Sequence, residues 1–340
     1  MSYIRASTVG VIGGIIGGII GGTLAGVVYN WLNPPAKRDF KNHNVASNND
    51  KCSILIFLED HGDQGSTKAI LDILDDLVNR GYKDYLFEEP SDVTYQATYN
   101  AIHQAMNHKL NGKVSDLHSQ IKARGIDVDR KQVQALLENP DLAPEPLKAV
   151  SINYNDLKKS YLYTLKLLKS INNNELNIHN IDMPTKMREY FNSKYSPLDK
   201  EYTTLRDSHM STEAEDICLA GGSKQVLLVG GSHHSIGKIL KNKGFDVKLF
   251  AVFAGRPSQK SDFDPRKSQA EIDDLIASTY LRNDYKSGSL PKELADLLLI
   301  DLYDNPELQS NYATILLDTL DREDNVLHGI NNTVPVDEPQ

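Results

Sequence analysis

The chain has 340 residues, a net charge of −9 at pH 7 and two cysteines. This length is ample for a buried core, and the acidic balance excludes the basic stripe that a nucleic-acid surface needs. Cys52 and Cys218 lie far apart and match no disulfide framework or metal-ligand spacing, so we expect two ordinary thiols.

The N-terminal segment, residues 1–36, has no charged residue from Ala6 to Ala36. Its apolar centre exceeds the about 20 residues that a helix needs to cross a bilayer. Glycine recurs every fourth residue, which lets transmembrane helices approach closely, at Gly10, Gly14, Gly18, Gly22 and Gly26. We therefore predict a single-pass anchor that contacts membrane lipid and self-associates through this glycine zipper. The alternative is a cleaved signal peptide, but the stretch is too long for its apolar region.

The charges that flank this segment predict its orientation. Lys37, Arg38 and Lys41 follow the span, whereas only Arg5 and the amino terminus precede it. By the positive-inside rule, the large C-terminal part would be cytoplasmic. Residues 37–51 are polar and rich in asparagine, and they indicate a linker.

A short apolar run over residues 54–58 predicts a strand that is buried on both faces. Glu59, Asp60 and His61 follow it, and Ser66 is a plausible N-cap for a helix that ends at Gly81. A second apolar run, residues 85–87, ends at Glu88 and Glu89. Residues 53–89 thus have the shape of a βαβ unit.

The rest of the chain continues this alternation of strands and helices. Residues 93–174 predict a helical insertion, and residues 202–219 a further helix that carries Arg206. Three more strands are predicted at residues 176–182, 225–229 and 247–253. Residues beyond them, to about 324, are predicted to be helical, and residues 326–340 a loose tail. We predict an α/β domain over residues 52–325, with a central, mainly parallel sheet flanked by helices.

Ionisable side chains follow four of the predicted strands, at Glu59, His61, Glu88, Glu89, Asp182, His233 and His234. Because sites in open α/β sheets form at the carboxyl ends of strands, we expect a shared site there. Two histidines and one or two glutamates can hold a divalent metal with an open position for water. They can also work without a metal, a histidine drawing a proton from water while a carboxylate fixes its tautomer. The sequence leaves both open.

Arg206 has two interpretations. It can clamp a carboxylate or stabilise an oxyanion, or it can form a salt bridge on a helix surface.

Five motifs together resemble the superfamily that unites erythromycin esterases, ChaN-type haem-binding proteins, TraB/PrgY proteins and Tiki metalloproteases. They are residues 58–62 (Leu-Glu-Asp-His-Gly), Glu88 after a strand, residues 181–183 (Ile-Asp-Met), residues 206–210 (Arg-Asp-Ser-His-Met) and residues 230–233 (Gly-Gly-Ser-His). Leu58 stands where the superfamily has glycine. The arginine helix and the Asp-Met step are most similar to the erythromycin-esterase branch.

The resemblance implies a catalytic set of Glu59, His61, Glu88, Arg206 and His233. Glu89 is the alternative to Glu88, since the strand register is uncertain by one residue. The ligands of a divalent metal would be His61, Glu88 and His233. The implied activity is hydrolysis of an ester or peptide bond in a small-molecule or peptide substrate. The alternatives are a non-enzymatic haem or metal carrier and a toxin-like protein that acts on membranes through its glycine zipper.

Overall fold

The apolar run that opens the predicted domain forms the strand β1, Ser53–Glu59, near the centre of a six-stranded sheet. The computed structural model describes residues 52–59, 63–195, 199–221, 224–255, 281–282 and 284–329. The other strands are β2 (Tyr82–Pro90), β3 (Asn177–Asp182), β4 (Lys224–Gly230), β5 (Asp246–Phe253) and β6 (Leu297–Asp301). All neighbouring strands pair in parallel, in the order β3-β2-β4-β1-β5-β6. The predicted α/β fold with a flanked, mainly parallel sheet is confirmed.

Helices cover both faces of the sheet in the part of the chain that the structure describes. They are α1 (Gly65–Asp72), α2 (Leu74–Asn79), α3 (Tyr95–Ala123), α4 (Arg130–Glu138), α5 (Glu145–Asn173), α6 (Thr185–Asn192), α7 (Lys200–Gly221), α8 (Ser235–Asn242) and α9 (Tyr312–Gly329). Three of them, α3 to α5, lie between β2 and β3, within the stretch predicted as a helical insertion.

Two apolar clusters, one on each face of the sheet, explain why β1 is apolar over residues 54–58. Leu55 and Phe57 enter the cluster that includes residues of α1 to α5. Ile54, Ile56 and Leu58 enter the other, which includes residues of α7 and α8. Alternate side chains of a strand face opposite sides of the sheet, so a strand covered on both sides is apolar throughout.

The strand order brings distant strand ends together. β4 lies between β1 and β2, and Glu59 of β1 pairs in register with Gly230 of β4. The end of β2, with Glu88 and Glu89, is on the other side of β4. The carboxyl ends of β1, β4 and β2 therefore form one continuous edge, next to the point where the chain crosses from β4 to β5.

Three details of the sequence prediction are wrong. Residues 297–301, which were expected to be helical, form the edge strand β6. The helix predicted up to Gly81 is two helices that meet at Ile73. Ser66 does not cap α1; it lies inside that helix, and its hydroxyl donates to Leu58 O at 2.6 Å.

The two cysteines are also different from the prediction, because they form a disulfide. Cys52 precedes β1, Cys218 lies near the end of α7, and their Cα atoms are 6.1 Å apart. Because the two cysteines are 166 residues apart, their spacing in the sequence did not indicate a pair. Only the packing of α7 against the β1 face brings the two side chains together.

The predicted membrane anchor, residues 1–36, lies outside the described residues, as does the linker at residues 37–51. Of the tail predicted at residues 326–340, residues 326–329 belong to α9 instead, and the rest lies outside the described residues. Within the described residues, no helix combines the length and the apolar character that crossing a bilayer requires.

Gly65, at the start of α1, packs against the backbone at the end of β5 with no room for a side chain. A Cβ atom there would lie 2.2 Å from Val252 O and 2.8 Å from Ala254 N, both backbone atoms. We expect Gly65→Ala to lower the free energy of unfolding by about 3 kcal/mol, measured by urea denaturation of the full chain. Gly112→Ala, in α3 with no atom within 4 Å of the new Cβ, is the control and should stabilise by about 0.5–1 kcal/mol. Equal midpoints for the two variants would contradict the packing described.

Candidate functional site

Three glutamates from two strand ends line one cavity of about 50 Å³ at the carboxyl edge of the sheet: Glu59, Glu88 and Glu89. Helices α1, α3 and α5 close it with Thr67, Thr98, Ile102, Thr164 and Leu168. Cavities of this size have room for a few waters, whereas pockets that enclose a drug-sized ligand usually have about 300–1,000 Å³. The cavity thus suits a reacting group and water rather than a whole ligand.

Glu59 is held at the start of α1. Its side chain is buried, and its Oε2 atom accepts from the Thr67 backbone N–H at 3.2 Å and from the Thr67 hydroxyl. The close approach of Gly65 to β5 sets the position of this helix end. The partial positive charge of a helix N-terminus stabilises a carboxylate there.

Glu88 is buried and has contacts at both carboxylate oxygens. Its Oε1 atom lies 2.5 Å from Arg206 Nη2 and 3.1 Å from His233 Nε2. Its Oε2 atom accepts from the Gly230 backbone N–H at 2.8 Å. This one carboxylate therefore connects β2, α7 and the end of β4.

Arg206 lies under the strand ends and not on the helix surface. The interpretation that it forms a salt bridge on the helix surface is therefore wrong. Its side chain is 10% exposed, and its Nη2 atom lies 2.6 Å from Asp182 Oδ2. Asp182 also accepts from the Met183 backbone N–H at 2.7 Å and lies 3.2 Å from Arg188 Nη1. Burial opposes the charged guanidinium, but Glu88 and Asp182 outweigh it and raise the pKa of Arg206.

His233 is enclosed by two carboxylates. Its Nδ1 atom contacts Asp207 Oδ1 and its Nε2 atom contacts Glu88 Oε1, with the ring almost fully buried. Burial and Arg206 favour the neutral ring, but Glu88 and Asp207 outweigh them and raise the pKa of His233 to about 9. The imidazole is thus a cation at neutral pH.

These buried charges form an ion network that balances within itself. Three carboxylates, Glu88, Asp182 and Asp207, face three cations, Arg188, Arg206 and His233. A balanced set is needed because an unpaired buried charge is costly.

Glu89 is the site carboxylate that this network does not pair. Within the described part of the chain, its carboxylate has no hydrogen bond and no ion pair. Burial raises the pKa of Glu89 to about 7; Glu88 and Asp182 add to the rise, and Arg188 and Arg206 oppose it. Both protonation states are therefore populated at neutral pH.

An irregularity in β2 explains how consecutive residues reach the same cavity. Between Phe87 and Pro90 the strand runs one residue longer than β3, whose paired residues are Asn180 and Asp182. A β-bulge of this kind re-aims side chains, whereas neighbours in a regular strand face opposite sides. The sequence left Glu88 and Glu89 as alternatives, and the structure places both at the cavity.

His61 and Asp60 lie outside the described residues, so the role predicted for His61 stays a prediction. Within the described residues, no group of three or more His, Cys, Asp or Glu side chains is arranged to hold a metal ion. The metal set predicted from the sequence includes His233. A ligand imidazole must offer an unprotonated nitrogen, and here both nitrogens of His233 face carboxylates.

Sequence reasoning did not select Asp207 or Thr67 as site residues. Asp207 follows Arg206 directly, so the Arg-Asp pair was the available signal; both side chains are buried in the network. Thr67 lies two residues after Gly65 in the first turn of α1, where a hydroxyl can reach a strand-end carboxylate.

Comparison of the chain with protein-family models, with curated proteins and with solved structures finds no match. The resemblance to the esterase and Tiki superfamily therefore stays a prediction that depends on the motifs.

The pKa of His233 predicts how stability changes with pH. The pKa of His233 in the folded protein is about 9, above the ordinary 6.5. The proton on His233 therefore stabilises the fold fully below pH 6.5, and this contribution is lost as the pH rises through 9. Between pH 7.5 and 10 we expect the wild-type chain to lose about 1–3 kcal/mol more than His233→Gln in urea unfolding. His108→Gln, at an exposed position of α3, is the control and should follow the wild type. Parallel curves for wild type and His233→Gln would show that His233 is not charged in the folded protein.

Proposed function

We propose that this chain is a hydrolase that cleaves an ester or peptide bond, anchored to a membrane by its N-terminal glycine zipper. The observation that carries the proposal is the convergence of Glu59, Glu88 and Glu89 on one cavity, with the ion network directly behind them. Perturbed carboxyl groups in a cleft are typical of sites that transfer protons.

Glu89 is assigned the proton transfer to the leaving group. A general acid works best when its pKa is near the working pH, and the pKa of Glu89 is about 7. As the water oxygen bonds to the carbonyl carbon, His61 takes a proton from that water. Glu89 then gives its proton to the leaving oxygen or nitrogen as the bond to carbon breaks. Exchange with solvent returns the proton from His61 to Glu89.

Glu59 and Glu88 have positioning roles in this scheme. Glu88 is fully engaged with Arg206, His233 and Gly230 N–H, so it holds the wall of the cavity in place. Arg206 and His233 lie behind that wall, where their charges are balanced by Glu88, Asp182 and Asp207, and they hold the Glu88 carboxylate in position. Glu59, fixed by Thr67, orients the water on the opposite side.

A divalent metal is the second way to activate the water. His61, Glu88 and His233 are the residues that the sequence predicts for it, and carboxylate and imidazole donors suit a zinc-type site with an open position. Binding would require Glu88 and His233 to leave their contacts in the ion network. Metal analysis of the purified chain, with and without chelator treatment, separates this route from the metal-free one.

The catalytic assignment is tested with the purified full chain and panels of chromogenic esters and peptides. Glu89→Gln should lower kcat by about 100-fold or more and remove the change in kcat with pH near 7. Glu145→Gln, at an exposed glutamate at the start of α5, is the matched control and should leave both unchanged. His61→Ala should also inactivate the chain. Full activity in both Glu89→Gln and His61→Ala would make the assignment wrong.

A further inference from the structure

The disulfide between Cys52 and Cys218 has a structural position of its own, away from the carboxyl-edge site. Cys52 directly precedes β1, so it lies at the opposite end of that strand from Glu59. Cys218 is 2% exposed and belongs to the apolar cluster under α7 and α8, and Cys52 packs against that cluster. The bond therefore links the start of β1 to α7, the helix that carries Arg206 and Asp207.

The pairing has the features of a structural bond. The Cα separation of 6.1 Å lies within the range of ordinary disulfides. The bond closes a loop of 166 residues, and long loops are those whose closure restricts the unfolded chain most. Burial of Cys218 shields the bond from reductants, whereas labile regulatory disulfides are exposed.

We infer that the domain folds and works in an oxidising compartment, on the non-cytoplasmic side of the membrane that its N-terminal segment would enter. Structural disulfides form and persist in oxidising environments and are rare where thiol reductants are present, as in the cytosol. The sequence has no other cysteine, so the two thiols have no alternative partner within the chain.

This inference reverses the orientation that the charge pattern predicts. That prediction depends on Lys37, Arg38 and Lys41 against Arg5 and the amino terminus, a difference of few charges. A structural disulfide across the domain, with Cys218 buried and Cys52 half-buried, favours the oxidising side, because the cytosol would keep both thiols reduced. The inference does not depend on the hydrolase activity, whereas the membrane side that it names rests on the anchor of the proposed function.

The first experiment counts free thiols in the wild-type full chain, isolated without reductant and denatured in maleimide-polyethylene glycol. We expect no mobility shift before reduction and two additions after it. Cys52→Ser, in which one thiol remains, should show one addition under both conditions. Two additions to the unreduced wild-type chain would overturn the inference, and this measurement needs no variant to fold.

The second experiment locates the domain. Lys131→Cys, at an exposed position of α4, is made in a chain that also carries Cys52→Ser and Cys218→Ser. The full chain is expressed in a bacterial host with its own N-terminal segment. A membrane-impermeant maleimide should label it in cells whose outer envelope has been opened but whose inner membrane is intact. Labelling only after lysis would place the domain in the cytosol and overturn the inference, even if thiol counting finds the disulfide in the wild-type chain.

The same bond should be visible in stability. Reduction of the wild-type chain should lower its thermal midpoint by about 5–15 °C. The Cys52→Ser, Cys218→Ser chain should show no change on reduction. An unchanged wild-type midpoint, with reduction verified by thiol counting, would overturn the structural role of the bond.

Discussion

The contact of Glu88 with Arg206, His233 and the Gly230 N–H is the interaction on which the site depends. A carboxylate buried at a strand end is costly unless cations and donors surround it. Meeting that requirement fixes β2, α7 and the end of β4 relative to one another. The geometry of the sheet edge is therefore decided by one buried acid and its three partners.

The charge balance of the ion network affects the protonation of its neighbour Glu89. Asp182 and Asp207 are matched by Arg188 and by the protonated His233, so the network has no surplus cation for Glu89. Glu89 is half-buried, and this partial burial raises its pKa, so that it holds its proton more tightly. The inserted helices α3 and α5 contribute to this effect, because their side chains line the cavity beside Glu89.

Strands were predictable where an apolar run was cut off by an acid. This signal located β1 and β2, whereas β4 was located by its apolar run before Gly230. The same signal was present in the Leu-Leu-Leu-Ile-Asp stretch of residues 297–301, which was nonetheless expected to be helical. The helix prediction up to Gly81 missed the break at Ile73, which the apolar periodicity does not show. The cysteine prediction failed because spacing along the chain says nothing about a pair brought together by packing.

The sequence alone determined the parallel α/β sheet and most of the polar residues at its strand ends, since burial of a strand and the polarity of its end are local properties. Only the tertiary structure decided that Glu88 pairs with Arg206 and His233, that Glu89 shares the cavity, and that Cys52 meets Cys218. Those facts depend on the strand order, on the extra residue in β2 and on the position at which α7 packs against the sheet. Each is set by contacts between segments far apart in the chain, and no local pattern records them.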